Sequence, residues 1–197
     1  MKLVVLKFGG TSVADVPQIK KIALKVKNEV NKSNKVIVVV SAMAGVTNNL
    51  VDLVKTTSEI PSYSEYDVVL STGEQVTSAL LATALNNLNI KARSWLGWQV
   101  PIISDNSYGK AVIEEIKTDN VLEFLKKNQV AIISGFQGVS KENRITTLGR
   151  GGSDTSAVAI AAAFSAERCD IYTDVDGVYT TDPRICLLYT SDAADEL

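Results

Sequence analysis

The first sixteen residues, MKLVVLKFGGTSVADV (residues 1–16), decide how the rest of the chain is read. A short apolar run from Leu3 to Leu6 predicts a buried strand, and the glycine pair Gly9–Gly10 ends it. Helical spacing starts directly afterwards, with Val13, Val16, Ile19, Ile22, Val26 and Val30 three or four residues apart. The segment Lys7-Phe8-Gly9-Gly10 therefore predicts a turn between a strand and a helix. In an α/β protein, turns of that kind hold the ligand.

The same alternation continues outward. Residues 36–40 are an unbroken apolar run, the pattern of a parallel strand buried on both faces. "SAMAGVTNNLVDLV" (41–54) leads into a second helix, and "GEQVTSALLATALNNL" (73–88) predicts a third, with Val76, Leu80, Leu81, Leu85 and Leu88 on one side. "IKARSWLG" (90–97) reads as a strand, "VLEFLKKN" (121–128) as a short helix and "VAIISGFQG" (130–138) as one strong strand. "SDTSAVAIAAAFSAE" (153–167) is an alanine-rich helix expected to be capped by Ser153 or Asp154. "CDIYTDVDGVYTTDP" (169–183) is a strand running into a loop. Repeated β-α-β order predicts a three-layer α/β/α sandwich around a mainly parallel sheet.

Bulk properties narrow the function. The chain has 197 residues, 46% hydrophobic and 21% charged, as expected of one globular domain. A formal charge of −2 gives no basic footprint for nucleic acid, so no nucleic-acid partner is expected. No uninterrupted apolar run approaches the ~20 residues of a membrane span, and no signal peptide is recognised, so no membrane is expected. Cys169 and Cys186 are the only cysteines, which suits a reducing cytosol and a cytoplasmic location. There is no histidine. Ser-His-Asp and Cys-His catalysis are thereby excluded, as are nearly all zinc sites, leaving Lys, Arg, acidic groups and hydroxyls for any chemistry.

Four strand ends carry residues suited to such chemistry: "KFGG", "SAMAGVT", "GFQGV…TTLGRGGSD" and "TDVDGVYTTDPR". In an open parallel sheet these meet along one edge. Lys7 beside Gly9 and Gly10 offers a point charge and close backbone approach to a polyphosphate, although a tight turn beside a solvated lysine gives the same pattern. "GRGGSD" sets Arg150, a planar donor fork for a carboxylate or phosphate, among glycines. Helix capping explains one polar residue there but not the arginine. Gly149 and Gly151 nearly match a dinucleotide fingerprint, but the third glycine position is Asp154 and no good buried strand precedes it. No Walker motif is present. Glu74 reads as a helix-start residue, where acidic side chains also favour the dipole alone. Asp174, Asp176, Tyr179, Asp182 and Arg184 lie on a loop able to meet a nucleotide. Trp95 and Trp98 read as packing residues, and Cys169 as a small core residue.

Taken together, "KFGGTSV", "VVSAMAGVTN", "STGE", "TTLGRGGSDTSAVA" and "YTDVDGVYTTDPR" resemble the aspartate kinases of the amino-acid kinase superfamily, in order and in spacing. The resemblance covers residues 1–185, a partial catalytic domain with that superfamily's carbamate kinase-like fold, incomplete at its C-terminus. It implies ATP-dependent phosphorylation of the L-aspartate side-chain carboxylate, a first step toward lysine, threonine and methionine. A carboxylate with pKa near ~4 is already ionised at neutral pH, so no general base is required. The resemblance also implies roles. Lys7 and Asp154 are expected to be catalytic, Lys7 offsetting phosphate charge and Asp154 holding it in place. Ser41, Thr47, Glu74, Arg150 and Ser153 are expected to bind aspartate, with Arg150 on its α-carboxylate and Glu74 on its ammonium. Lys7, Phe8, Gly9, Gly10, Thr173, Asp174, Tyr179 and Arg184 are expected to contact ATP. Mg2+ is expected as cofactor, held mainly by the nucleotide, with no protein metal site, and the parent enzyme is expected to be a homo-oligomer. Readings left beside this one are a kinase for another small carboxylate, a non-catalytic nucleotide- or amino-acid-binding module, and a nicotinamide-dependent oxidoreductase resting on "GRGGSD".

Residues 186–197, "CLLYTSDAADEL", carry no feature of that family and are expected to be a non-native tail. The family's regulatory domains are expected to be absent. A chain cut there would expose apolar edge and helix surfaces, so weak or no turnover is expected of it.

Overall fold

The computed structural model describes residues 1–149 and 151–173. Arg150 and residues 174–197, among them Asp174, Asp176, Tyr179, Asp182, Arg184 and the expected tail, lie outside the described residues.

The first strand, β1 (Leu3–Phe8), is followed by α1 (Val16–Asn31) and β2 (Lys35–Val40), as the opening pattern predicts. Asp15 caps α1 by accepting a hydrogen bond from the Gln18 N–H at 2.8 Å, and Pro17 fits the first turn, where no N–H is needed. Next come α2 (Val46–Thr57), α3 (Tyr63–Asn87) and β3 (Ala92–Trp95). Then follow β4 (Ile102–Ser104), β5 (Ile113–Ile116), α4 (Asp119–Lys126), β6 (Val130–Ser134), β7 (Gln137–Ser140) and β8 (Ile145–Thr147). The last elements are α5 (Gly152–Ala163) and β9 (Arg168–Tyr172).

Five strands form the central sheet in the order β3-β6-β2-β1-β9, with every pairing parallel. Strand alternation divides the core in two. Val4, Leu6 and Phe8 with Val36, Val38 and Val40 face α1 and α3. Val5 with Ile37 and Val39 faces the α4 and α5 side, against Val121, Leu125, Ala157 and Ile160. Both faces of β1 and β2 are thus covered, and their unbroken apolar runs have that cause. The expected three-layer sandwich is present.

Three local readings are corrected. "VAIISGFQG" is two strands: β6 ends at Ser134, Phe136 adopts φ +65°, and β7 starts in a second sheet of order β5-β4-β7-β8. That small sheet has no counterpart in the sequence reading, because its strands are only three or four residues long. The third helix starts at Tyr63, ten residues before Gly73, so Glu74 lies in mid-helix and not at a helix start. Gly73 is tolerated inside α3 because a Cβ there would stand 2.8 Å from the Ala42 Cβ. The inward face of α3 is also more polar than expected, carrying Asp67, Ser71, Glu74, Thr77 and Ser78 beside Leu70, Leu81 and Leu85, while Val76 points to solvent. Although α3 has the length of a membrane span, that polar inward face packs within the fold. Finally, α5 is capped by Gly151 at φ +75° with no side-chain cap, so Ser153 and Asp154 belong to its first turn.

Candidate active site

Strand alternation sets the first feature of the site. Lys7 shares the α5-facing side of β1 with Val5, whereas Phe8 turns to the opposite face. Lys7 is 5% exposed, and its Nζ lies 2.6 Å from Asp154 Oδ1 in the first turn of α5. The contact is an ion pair; Asp154 Oδ1 is sealed from solvent and has no hydrogen-bond partner among the described residues. The rest of the Asp154 side chain is half exposed.

Lys7 and Asp154 line a cleft of about 610 Å³ at the carboxyl ends of the strands. Gly10, Ser41, Thr47, Glu74 and Ser153 line it too, so seven of the residues singled out in the sequence converge on one cavity. Three segments shape it: the β2–α2 loop ending in Gly45 at φ +78°, the middle of α3, and the turn from β8 into α5. The last turn is tightly built. A Cβ on Gly152 would stand 2.8 Å from Phe136 Cδ2 and 2.9 Å from Leu148 Cβ, so only glycine admits α5 this close to β7 and β8.

Glu74 is the second charged feature. It is 3% exposed, its Oε1 accepts a hydrogen bond from the Ala42 N–H at 3.0 Å, and its Oε2 is buried without a partner among the described residues. Burial pushes its carboxyl up to about 7, with the Ala42 amide opposing that rise. An under-satisfied buried carboxyl in a cleft is a group awaiting a cation.

Two cleft features escaped the sequence reading. Tyr66 lines the cleft, its phenol pushed up by burial and by neighbouring Asp67. Asp67 is fully buried: Oδ2 accepts from the Gly109 and Thr147 N–H groups at 3.0 and 2.8 Å, and Oδ1 from Thr147 Oγ1 at 2.7 Å. Burial raises its pKa and these bonds counter the rise. Asp67 thereby ties α3 to β8 and to the Gly109 turn, two walls of the cleft. Its spacing of seven residues from Glu74, two helical turns on one face, is the signal that was available in the sequence.

Other expected residues stand elsewhere. Phe8 is buried in the core and stacks on Tyr172 with ring centroids 4.7 Å apart, so its side chain does not face the cleft. The Gly9 N–H donates to the Tyr172 carbonyl at 3.1 Å and is not available to a phosphate, a correction forced by the β1–β9 pairing. Thr173 is exposed at the end of β9, on the same sheet edge as Lys7. Arg150, flanked by Gly149 and Gly151 at φ +74° and +75°, is outside the described residues, as are Asp174, Tyr179 and Arg184. Gly149 and Gly151 follow β8, which pairs antiparallel to β7 in the small sheet. A dinucleotide fingerprint requires a parallel β-α-β unit at this point, so the oxidoreductase reading loses its basis. Among the described residues no group of three acidic or cysteine side chains could hold a metal ion.

The family model for the amino acid kinases matches residues 2–197. An aspartokinase of Rickettsia felis is 59% identical over 188 residues, covering 94% of this chain and 47% of that protein. An aspartate kinase of Stutzerimonas stutzeri is 53% identical over 185 residues, covering 94% of this chain and 45% of the relative. Among solved structures, the aspartate kinase from Synechocystis superposes with a TM-score of 0.78 at 48% identity, over 93% of this chain and 30% of that one. Aspartokinase III of E. coli, solved with aspartate and ADP, gives 0.79 at 29% identity, over 93% and 52%. The chain spans about half the length of the curated relatives it matches.

Proposed function

This chain belongs to the amino acid kinase family, and from that premise we propose that its cleft binds L-aspartate for phosphorylation by ATP, giving 4-phospho-L-aspartate and ADP. The observation that carries the reading is Glu74: a buried carboxyl with one oxygen unpartnered, in the same cleft as the Lys7–Asp154 pair. A small zwitterion fits this charge layout. Its ammonium meets Glu74 Oε2, and its α-carboxylate is assigned to Arg150 on the sequence pattern. The side-chain carboxylate lies toward Lys7, with the hydroxyls of Ser41, Thr47 and Ser153 completing the pocket. Aspartate complexes and an ADP complex are known for aspartokinase III of E. coli, which agrees with this choice of substrates.

The chemistry needs little from the protein beyond position and charge. A side-chain carboxylate oxygen attacks the γ-phosphorus, the new O–P bond forms as the β–γ bridging bond breaks, and the electron pair leaves on ADP. No proton moves, which suits a chain with no histidine. Lys7 is the buried cation able to offset charge on the transferring group, and Asp154 fixes where that cation stands. Gly10 borders the cleft without a side chain and leaves room for phosphates. Mg2+ bound with the nucleotide would supply positive charge to the phosphates, and Asp154, already paired with Lys7, is the carboxylate of the cleft that would help to hold it. Thr173, Asp174, Tyr179 and Arg184 are assigned to the nucleotide. The cytosol suits a chain with only two cysteines.

The test is incubation of the chain with ATP, Mg2+ and L-aspartate in the presence of hydroxylamine, which traps acyl phosphates. The expected result is slow turnover, as anticipated from the sequence, with ADP and aspartyl hydroxamate in equal amounts and L-glutamate inactive. ADP release that ignores aspartate, or equal trapping with L-glutamate, contradicts the assignment.

A further inference from the structure

A second cleft, of about 570 Å³, lies between the end of β3 and α4. β3 is an edge strand of the central sheet, so this cleft is separate from the aspartate pocket. Both tryptophans of the chain line it, with Arg93, Phe124, Glu123 and Lys127. Trp95 is 4% exposed and meets Phe124 edge-on, with centroids 5.5 Å apart. The Arg93 guanidinium carbon stands 4.0 Å from the Trp95 ring centroid, a stacked cation–π contact. That contact leaves the N–H groups unused: the Arg93 guanidinium makes no ion pair or hydrogen bond among the described residues. Lys127 likewise has no ion pair among them, and Glu123 is the one acidic group in the lining.

Two further features are unexplained by packing. Trp98, read from the sequence as a packing residue, is 50% exposed at the rim. The Trp95 Nε1 is buried with no hydrogen-bond partner among the described residues, which is uncommon for an indole N–H. Concave sites that bind small molecules combine this kind of aromatic wall with a few unpaired polar groups.

We propose that this cleft binds a small planar aromatic carboxylate. The ring stacks on the Trp98 face, and the carboxylate takes two N–H groups of the Arg93 fork with Lys127 beside it. Arg93 is held ready for this by Trp95, so little freedom is lost on binding. Glu123 disfavours a second negative charge and selects a monoanion.

Because Trp95 and Trp98 are the only tryptophans, indole emission excited at the red edge reports on this cleft and on nothing else in the chain. The experiment titrates the whole chain with benzoate and with nicotinate, using acetate and benzamide as controls for ring and charge, with circular dichroism to show the fold intact. The expected result is a saturable emission change with both aromatic acids and none with acetate or benzamide. Arg93→Gln should weaken the aromatic acids by about tenfold or more, the usual effect of losing a charge-assisted hydrogen bond. Trp98→Ala, at an exposed position, should weaken them while leaving the circular dichroism unchanged. Non-saturable quenching, equal response to benzamide, or unaltered binding in Arg93→Gln would each overturn the proposal.

Discussion

Glu74 gives the sharpest prediction, because its burial ties substrate affinity to pH. Its carboxyl titrates at about 7 in the unliganded fold, against an ordinary value of 4.5. An ammonium arriving at Oε2 requires the ionised form, so a proton must leave wherever the group is still neutral. The apparent Kd for aspartate then follows Kd(1 + 10^(7−pH)), and affinity at pH 6 is about tenfold weaker than at pH 8, where it levels off. The other charged groups lining the cleft, Lys7 and Asp154, are paired with each other, and burial pushes the Tyr66 phenol up and out of this window. Stability moves in the opposite sense. A carboxyl whose folded pKa exceeds its unfolded one weakens the fold as pH climbs from about 4.5 to 7, on the order of 3 kcal/mol here. The assay is calorimetric titration of L-aspartate from pH 5.5 to 8, in two buffers of different ionisation enthalpy. Below pH 7 the heats should reveal about one proton released per aspartate bound. Glu74→Gln should bind roughly 10- to 100-fold more weakly at pH 8, the scale of one charge-assisted hydrogen bond, and with a flat pH profile. A wild-type affinity that does not change between pH 6 and 8, or proton uptake on binding, refutes the reasoning.

Lys7→Met should lower hydroxamate formation by about 10²–10³-fold, the range seen for one lost transition-state contact, while calorimetry shows aspartate still bound; loss of both in equal measure would make Lys7 a substrate anchor instead. Asp67→Ala strands the Gly109 and Thr147 N–H groups and the Thr147 hydroxyl in a buried site, so the Tm should fall by on the order of 10 °C in thermal denaturation, and a fall of a degree or two would show that water replaces the carboxylate. Gly152→Ala forces a methyl against Phe136 and Leu148, with an expected loss of about 1–3 kcal/mol in urea denaturation and weaker aspartate binding as the first turn of α5 shifts; unchanged stability would mean that Phe136 turns aside freely.

The sequence carried the central layers well, and for a physical reason. Val36 to Val40 and Leu3 to Leu6 are apolar throughout because both faces of a parallel sheet are covered. The convergence of Lys7, Ser41 and Asp154 was legible because strand ends in such a sheet share an edge. What failed was whatever tertiary packing alone decides. Gly73 was read as the first residue of the third helix, and only the approach of Ala42 explains it inside α3. Phe136 has no residue-level signal for its left-handed backbone, so the break between β6 and β7 was invisible. The inward polar stripe of α3, with Asp67 at its start, cancels the amphipathic pattern that helix reading depends on. Gly9 was assigned to phosphate on its residue type, yet the neighbouring strand takes its amide.

A structure of the chain with L-aspartate bound is the most direct test of the central claim. The ammonium nitrogen is expected within about 3 Å of Glu74 Oε2, with the side-chain carboxylate turned toward Lys7 Nζ. Aspartate lodged with its ammonium against Asp154 and its side chain away from Lys7, or bound outside this cleft, would contradict the account.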